Sequence, residues 1–439
     1  MNWSAQTQAP PLPFSACAHE WLDSRACAEH AEEALRERAK GERVGLLFLE
    51  VRGLSEQLGA LASDRSTAHA DETLVSLAAC VPPYTRIARL GRETLALILP
   101  RLASLDEAEH LAEAVTSSPL LVYTALEAPV PLDVRAGLAV APDHGTTYET
   151  LLARAEMAVL ELRRQKAASF ATFRADFQAD ALRRSRLRQD LERAEERGQF
   201  ELFYQPQVDL GTGRIVGAEA LMRWHHPAHG LLAPDTFLAE LEQISQARRV
   251  DKWVLRTAAA QAARWKGCKP PLRVAINIFP DRLGPDLVDD VKRALDTHGL
   301  APQALEIEIP ERHALDDLDR AAATVRALRR LGVSVALDDF GTGFASLTAI
   351  SQLEVNRLKI DRSFVSNMLS NGKSVAIVST LIELGRRIDL AILAEGIETR
   401  EQRDVLQAFG CNEGQGFLFG KAMTADAFWP AEGRNVKAG

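Results

Sequence analysis

Residues 333–340 read VSVALDDF. An apolar, β-branched run ends in two adjacent carboxylates, Asp338 and Asp339. Short apolar segments recur through the second half of the chain. They are FELFYQPQV (200–208), IVGAEALMRW (215–224), LRVAINI (272–278), LEIEI (305–309), RLKID (357–361), LAILAEGI (390–397) and QGFLFG (415–420). Helical spacing fills most of the intervals, at Asp235 to Trp265, Asp286 to His298, Leu315 to Leu331, Ser374 to Arg387 and Thr399 to Phe409. Eight short strands alternating with helices over about 240 residues predict a (β/α)8 barrel.

Polar residues fall at the ends of these predicted strands: Glu219, Asn277, Glu308, Asp338 with Asp339, Lys359 with Asp361, and Glu395. Barrels of this kind place their active sites at the C-terminal ends of the strands. Taken singly, an acid after a strand is usually a helix cap or a solvated loop residue, and a lone lysine a surface residue. The joint pattern carries more. At about 4 Å and an effective dielectric near 20, each like-charged pair costs roughly 4 kcal/mol. Such a mouth requires raised carboxyl pKa values or bound cations. An oxygen-rich set without Cys or His suits Mg²⁺ or Mn²⁺. One of the paired aspartates can bridge two ions, as two-metal phosphodiester hydrolysis requires. Lys359 can orient a water or offset developing charge, and Arg223 can grip a phosphate oxygen.

Upstream, VGLLFLEV (Val44 to Val51), LALILP (Leu95 to Pro100) and VRAGLAVAP (Val134 to Pro142) read as strands. Helical spacing at Thr67 to Ala79, Asp106 to Ala114 and Tyr148 to Arg164 interleaves with them, which makes this third an α/β unit. Ala16 to Lys40 reads as a helix with an apolar stripe of Trp21, Leu22, Leu35 and alanines. A charged helix with a Leu182, Leu187, Leu191 spine bridges the two parts. Its arginines Arg183, Arg184, Arg186 and Arg188 are expected to face water. The organisation is therefore a tail and helix (1–40), an α/β domain (41–173), a linker helix (174–199), the barrel domain (200–430) and a tail (431–439).

Hydrophobic residues make up 46% and charged residues 26% of the 439, and the net charge is −8. These are soluble globular proportions, and they argue against fibrous, disordered and secreted disulfide-framework classes. An acidic balance disfavours a long nucleic acid as partner. Cys17, Cys27, Cys80, Cys268 and Cys411 form no zinc-like pairs, so a reducing cytoplasm is expected. No apolar run reaches the roughly 18 residues of a membrane span, and the first residues lack signal-peptide regions. No separate sensory domain is apparent in residues 1–40.

From Tyr204 to Ala422 the chain resembles the EAL domain, the bacterial cyclic di-GMP phosphodiesterase. The strings that carry the resemblance are YQP (204), EALMRW (219), INIFP (276), EIPER (308), LDDFGTGFASL (337), LKIDRSFV (358), AEGIET (394) and GCNEGQGFLFG (410). The resemblance implies a modified barrel with one strand free to run antiparallel. It implies that Glu219, Asn277, Glu308 and Asp338 bind one metal, and that Asp338, Asp339 and Glu395 serve the second. Lys359 would hold the nucleophilic water. Gln205, Leu221, Arg223 and Gln415 would contact the dinucleotide, and Asp361 and Glu398 would lie beside the ligands. Glu311 would anchor the DFGTGFAS loop. The implied product is linear pGpG, with a homodimer through this domain. Phe279, Pro310 and Phe344-Ala345 depart from the family pattern without removing a ligand. The histidines His225, His226 and His229 are better read as a structural loop than as a zinc site.

Residues 41–173 resemble a degenerate GGDEF domain, the diguanylate cyclase fold. The signature reads GRETL from Gly91 to Leu95, with Arg92 in place of the second glycine and Thr94 in place of a carboxylate. Glu50 or Arg52 stands near the family's metal aspartate. The guanine-binding pattern is not evident in residues 58–74, and the inhibitory Arg-x-x-Asp is absent near Pro82 to Thr85. No cyclase activity is expected, and the domain reads as a regulatory or docking module for a protein partner. The competing readings are a cyclic di-GMP receptor without hydrolysis and a partner-binding regulator that no longer sees nucleotide.

Overall fold

The computed structural model describes residues 22–52, 81–117, 122–123, 130–131, 133–165, 169–265, 267, 272–311, 317–341 and 350–428. The chain divides into two compact units, Met1–Arg183 and Arg184–Gly439.

The first unit contains β1 (Arg43–Arg52), β2 (Arg86–Arg89), β3 (Thr94–Leu102), the short pair β4 (Val122–Tyr123) and β5 (Val130–Pro131), then β6 (Asp133–Ala141) and β7 (Phe170–Thr172). Five of these make one sheet in the order β2-β3-β1-β6-β7, with β1 antiparallel to both neighbours. Alternation along β1 serves two cores, because successive side chains leave a strand on opposite faces. Leu47, Leu49 and Val51 pack with Ala108, Ala112 and Val115 of the helix Leu105–Thr116. Val44 and Leu46 face Cys27 and Ala31 of the helix Ser24–Glu37, and Leu151, Ala155 and Ala158 of the helix Tyr148–Gln165. Helices therefore cover both faces of the sheet.

The first helix starts later than its composition predicts. Asp23 caps it by accepting from the Ala26 N–H at 2.7 Å. Leu22 is not part of the helical stripe; it bridges to Ala88 as a strand residue. Trp21, the predicted helix at Thr67 to Ala79 and the 58–74 segment lie outside the described residues. The bridging helix spans Ala175–Ala194 and buries Leu187 and Leu191, while Leu182 is 55% exposed. Arg183 and Arg186 face water as expected, but Arg188 donates to Gln243 at 3.1 Å and lies 3.3 Å from the buried Glu240.

The second unit contains β8 (Phe200–Asp209), β9 (Ile215–His226), β10 (Gly230–Leu232), β11 (Arg273–Asn277), β12 (Leu305–Pro310), β13 (Ser334–Phe340), β14 (Arg357–Ile360), β15 (Ala391–Ala394), β16 (Glu413–Gln415) and β17 (Met423–Thr424). The ring β8-β9-β11-β12-β13-β14-β15-β16 closes back on β8, giving an eight-stranded barrel. β8 is antiparallel to β9 and β16, and the other ring pairs are parallel. The cause is local. Asp209 accepts from the Thr212 N–H at 2.7 Å and from its hydroxyl at 2.8 Å, which folds a tight turn instead of a helical crossover. A strand joined by a hairpin must reverse direction.

Two predicted elements differ. QGFLFG is not a strand; β16 ends at Gln415 and Gly416–Gly420 turns away. The predicted helix Asp235 to Trp265 is two helices, Pro234–Leu241 and Ala247–Arg264. The break contains neither Gly nor Pro, so periodicity alone does not reveal it.

Along the barrel strands Val274, Ile276, Leu305, Ile307, Ile309, Val335, Leu337, Leu358 and Ile360 join the apolar core. The alternate positions, among them Glu306, Glu308, Arg357 and Lys359, are buried and charged. The barrel interior is thus polar, and its apolar core lies between strands and helices.

In the first unit, Gly137 of β6 meets the helix Tyr148–Gln165 so closely that an added Cβ would sit 1.9 Å from the Ala155 carbonyl oxygen. Gly137→Ala is expected to destabilise this unit by roughly 1–3 kcal/mol through overpacking. Denaturant unfolding measures the loss, and unchanged stability would contradict the packing described.

Candidate metal centre at the barrel mouth

The mouth is built by strand ends in register. β11 pairs Asn277 with Glu308 of β12, and β12 pairs Pro310 with Asp338 of β13. Between the pairs Leu337–Leu358 and Phe340–Ile360, two residues of β13 oppose one of β14. The extra residue makes a β-bulge at Asp338–Asp339 opposite Lys359. In a regular strand the two aspartates would point to opposite faces. Here Asp339 takes a left-handed backbone with φ 54° and its N–H donates to Asp338 Oδ1 at 2.9 Å. Aspartate tolerates that region better than most side chains. Both carboxylates therefore turn to the mouth.

Carboxylate oxygens of Glu219, Glu308 and Asp338 lie within 4.8 Å of one another, and so do those of Asp338, Asp339 and Glu395. Asp338 belongs to both groups. Lys359 is fully buried among them, its Nζ 2.7 Å from Glu395, 2.9 Å from Glu308, 3.0 Å from Asp338 and 3.8 Å from Glu219. Burial alone would lower the ammonium pKa, but Asp338, Glu219, Glu308 and Glu395 hold it well above its usual value. Five carboxylates against one ammonium leave an excess of four negative charges, the amount two divalent cations neutralise.

The carboxyl groups carry that excess as raised pKa values. Burial first, then the charges of Glu219 and Asp338, push Glu308 well above the ordinary range against the opposing pull of Lys359. Burial likewise raises Glu395 to about 8, with Asp338 and Glu219 adding to it and Lys359 opposing. Asp339 is raised to about 6 by partial burial and by Asp338 and Asp361.

The donor set fits hard cations. The described ligands are all oxygens, and Glu308 Oε1 is buried without a hydrogen-bond partner. A buried carboxylate oxygen left unpaired is costly unless a cation takes it. Asn277 donates its Nδ2 to Glu219 Oε1 at 2.8 Å, which turns its Oδ1 away from that carboxylate, free to face a cation.

The remaining predicted residues fall as follows. Gln415 donates to Glu219 and to Gln205, the latter at 3.1 Å, and Gln205 donates to the Gly420 carbonyl at 3.2 Å. Leu221 is half-buried on β9, two residues beyond Glu219 and so on the same face. Arg223, two further on, lies over the Phe203 ring at 5.4 Å and donates to the Met222 carbonyl at 2.9 Å. Glu311 is buried and accepts from the Gly341 N–H at 2.9 Å, which pins the start of the DFGTGFAS segment; residues 342–349 lie outside the described residues. Asp361 caps the helix Arg362–Asn367 through the Ser363 N–H at 2.9 Å. Glu398 is exposed, and its backbone N–H donates to Gln402. In the histidine loop, His226 Nδ1 accepts from the Ala228 and His229 N–H groups and its Nε2 lies 3.2 Å from Asp190, as a structural role requires.

Sequence reasoning missed a second charged layer one step below the mouth. Arg273 lies 3.2 Å from Glu306 and 2.8 Å from Glu413; Arg357 lies 3.0 Å from Glu306 and 2.8 Å from Glu413. Burial would raise the Glu413 carboxyl, but the Arg357 and Arg273 charges hold it below its ordinary value. The signal was present in the period-two spacing of Glu306 with Glu308 and of Arg357 with Lys359.

Residues 188–422 match the family model described as EAL domain. The chain belongs to the EAL-domain family. Residues 22–169 match the model for the diguanylate cyclase GGDEF domain, so the two domains stand in tandem. Among curated proteins, this EAL chain is 33% identical over 401 residues to the bifunctional diguanylate cyclase/cyclic di-GMP phosphodiesterase MucR of Pseudomonas aeruginosa, covering 91% of the chain and 58% of that protein. It is 33% identical over 411 residues to an uncharacterized signaling protein of Caulobacter vibrioides, covering 91% of the chain and 49% of that protein. The chain thus spans about half the length of these relatives. Among solved structures, the PaMucR phosphodiesterase in complex with c-di-GMP shares 39% identity with a TM-score of 0.53, over 55% of this chain and 99% of that one. The EAL enzyme Bd1971 in its cAMP- and cyclic-di-GMP-bound form shares 28% identity with a TM-score of 0.55, over 77% of this chain and 81% of that one. Among the described residues, no helix is long and apolar enough to cross a membrane.

Cation binding at this mouth requires the protonated carboxyls to ionise, so it releases protons. With Asp339 near 6 and Glu395 near 8 in the metal-free protein, Mg²⁺ affinity is expected to rise with pH from about 6 to 8. Calorimetric titration in two buffers of different ionisation heat counts the protons. An affinity independent of pH would contradict the raised carboxyl pKa values.

Proposed function

We propose that this protein is a metal-dependent phosphodiesterase that hydrolyses cyclic di-GMP to linear pGpG. The observation that carries the reading is the buried Lys359 ammonium surrounded by carboxylates whose charge it only partly offsets. Cyclic di-GMP bound to the PaMucR phosphodiesterase and to Bd1971 supports the choice of ligand.

Glu219, Asn277, Glu308 and Asp338 would hold one Mg²⁺ or Mn²⁺, and Asp338, Asp339 and Glu395 the second. Two such ions, when bound, supply Lewis acidity toward the phosphodiester and make a water nucleophilic near neutral pH. Lys359 donates N–H groups to the attacking water and offsets charge developing on the phosphate oxygens. Because it is buried and held protonated, it acts as a fixed cation and not as a proton acceptor. Gln205 and Gln415 offer amide contacts to the dinucleotide, and Leu221 an apolar one. Arg223, four residues beyond Glu219 on β9, would meet a phosphate. Asp361 and Glu398 would adjust the surroundings, and Glu311 would hold the loop that begins at Gly341. The reading extends to a homodimer formed through the barrel unit.

The first unit is read as a GGDEF domain without cyclase chemistry, serving as a regulatory or docking module for a protein partner. Arg92 stands exposed in the turn between β2 and β3, where the family signature has glycine, and Thr94 already begins β3. The second reading, a cyclic di-GMP receptor without turnover, would be favoured by tight binding with no product.

Incubation of the protein with cyclic di-GMP and Mn²⁺ is expected to release pGpG, followed by chromatography. Glu219→Ala and Lys359→Ala should each lower the rate by at least about 100-fold, and EDTA should abolish it. A wild type that binds ligand but releases nothing would sink the phosphodiesterase reading. Incubation with GTP should yield no cyclic dinucleotide, and any such product would overturn the view of the first unit.

A further inference from the structure

The lower charged layer and the mouth are joined by a chain of side-chain amides. Arg273 Nη2 donates to Gln207 Oε1 at 2.8 Å. Gln207 Nε2 donates to Gln415 Oε1 at 3.2 Å. Gln415 Nε2 then donates to Glu219 Oε2 and to Gln205 Oε1, and Gln205 Nε2 donates to the Gly420 carbonyl. Gln207 is fully buried and Gln415 is 4% exposed, so water does not compete for the Gln207–Gln415 and Gln415–Glu219 bonds.

The direction of the chain is forced at its ends. A guanidinium can only donate, and an ionised carboxylate or a backbone carbonyl can only accept. Each glutamine amide between them presents an oxygen on one side and a nitrogen on the other. With Arg273 at one end and Glu219 and Gly420 at the other, a single orientation satisfies every bond. An amide flip at Gln207 or Gln415 would set two oxygens or two nitrogens against each other in a buried site, at the full cost of unpaired polar groups.

We infer that Arg273 and Gln207 are positioning residues for the metal centre, acting through Gln415 to hold the Glu219 carboxylate in the orientation a cation needs. Glu219 is gripped from two sides, by Asn277 on Oε1 at 2.8 Å and by Gln415 on Oε2. Arg273 is itself anchored by Glu306 and Glu413, so the relay starts from a rigid ion network. The role rests on the reading of Glu219 as a metal ligand. Groups that orient a ligand from behind typically change metal affinity by about 10–100-fold when removed.

Gln207→Glu separates this role from plain electrostatics and from packing. The substituted side chain has the same size and still accepts from Arg273. It cannot donate to Gln415, so that amide must turn its oxygen toward Glu219. Added negative charge alone would tighten cation binding, whereas the relay predicts weaker binding. Free Mn²⁺ counted by electron paramagnetic resonance gives the affinity of the wild type, Gln207→Glu and Gln207→Leu, with melting curves to identify folded protein. Each folded variant should bind Mn²⁺ about tenfold more weakly or worse. Wild-type or tighter affinity in either folded variant overturns the relay, and a wild type that takes up no Mn²⁺ overturns it together with the metal site. If neither Gln207 variant folds, Arg273→Gln carries the test: an amide there no longer fixes the direction, and unchanged affinity overturns the proposal. A wild type that binds Mn²⁺ but leaves cyclic di-GMP intact removes the phosphodiesterase reading and not this one.

Discussion

A barrel that fills its interior with ions must pair every charge that it takes out of water. Each buried ion costs several kcal/mol in desolvation, recovered only by close partners. The lower layer meets that demand internally, because Arg273 and Arg357 balance Glu306 and Glu413. The upper layer does not. Lys359 is one ammonium among Glu219, Glu308, Asp338 and Glu395, with Asp339 adjoining. Without cations, burial first and then the neighbouring charges raise the Glu308 and Glu395 carboxyl pKa values. In the reading proposed above, these carboxylates would instead serve as a ligand set, protons and divalent ions would compete for the mouth, and the lower layer is the charge-balanced base beneath it.

Two local devices convert ordinary strands into that mouth. The hairpin at Asp209–Thr212 reverses β8, so that Gln205 and Gln207 face the interior beside Glu219. The bulge at Asp338–Asp339 lets consecutive aspartates serve the same opening. In each device a short polar side chain bonds to nearby backbone, Asp209 to the Thr212 N–H and Asp338 to the Asp339 N–H.

The strand ends were the most legible part of the sequence. An acid closing an apolar run is visible by eye, and Glu219, Glu308, Asp338 and Glu395 do meet around Lys359. The closed eight-stranded ring followed from the same alternation, and the EAL-domain membership from the strings that surround those acids. The layer beneath was not legible as a layer, because its partners come from strands far apart in sequence and only the closed barrel brings Arg273 to Glu413. The bulge was equally hidden, since a one-residue change of register leaves no compositional mark. QGFLFG misled because its apolar content continues after β16 has ended at Gln415. Leu182 misled because a helical repeat does not tell which turns are covered.

The central claim is that the mouth's excess charge is shaped for two divalent cations that share Asp338. Titration of the metal-free protein with Mn²⁺ near pH 8, counting ions bound per chain, tests it most directly. The account predicts two bound ions in the wild type and a loss of both tight sites in Asp338→Ala. A wild type that saturates at one ion, or an Asp338→Ala protein that still binds two, would contradict it.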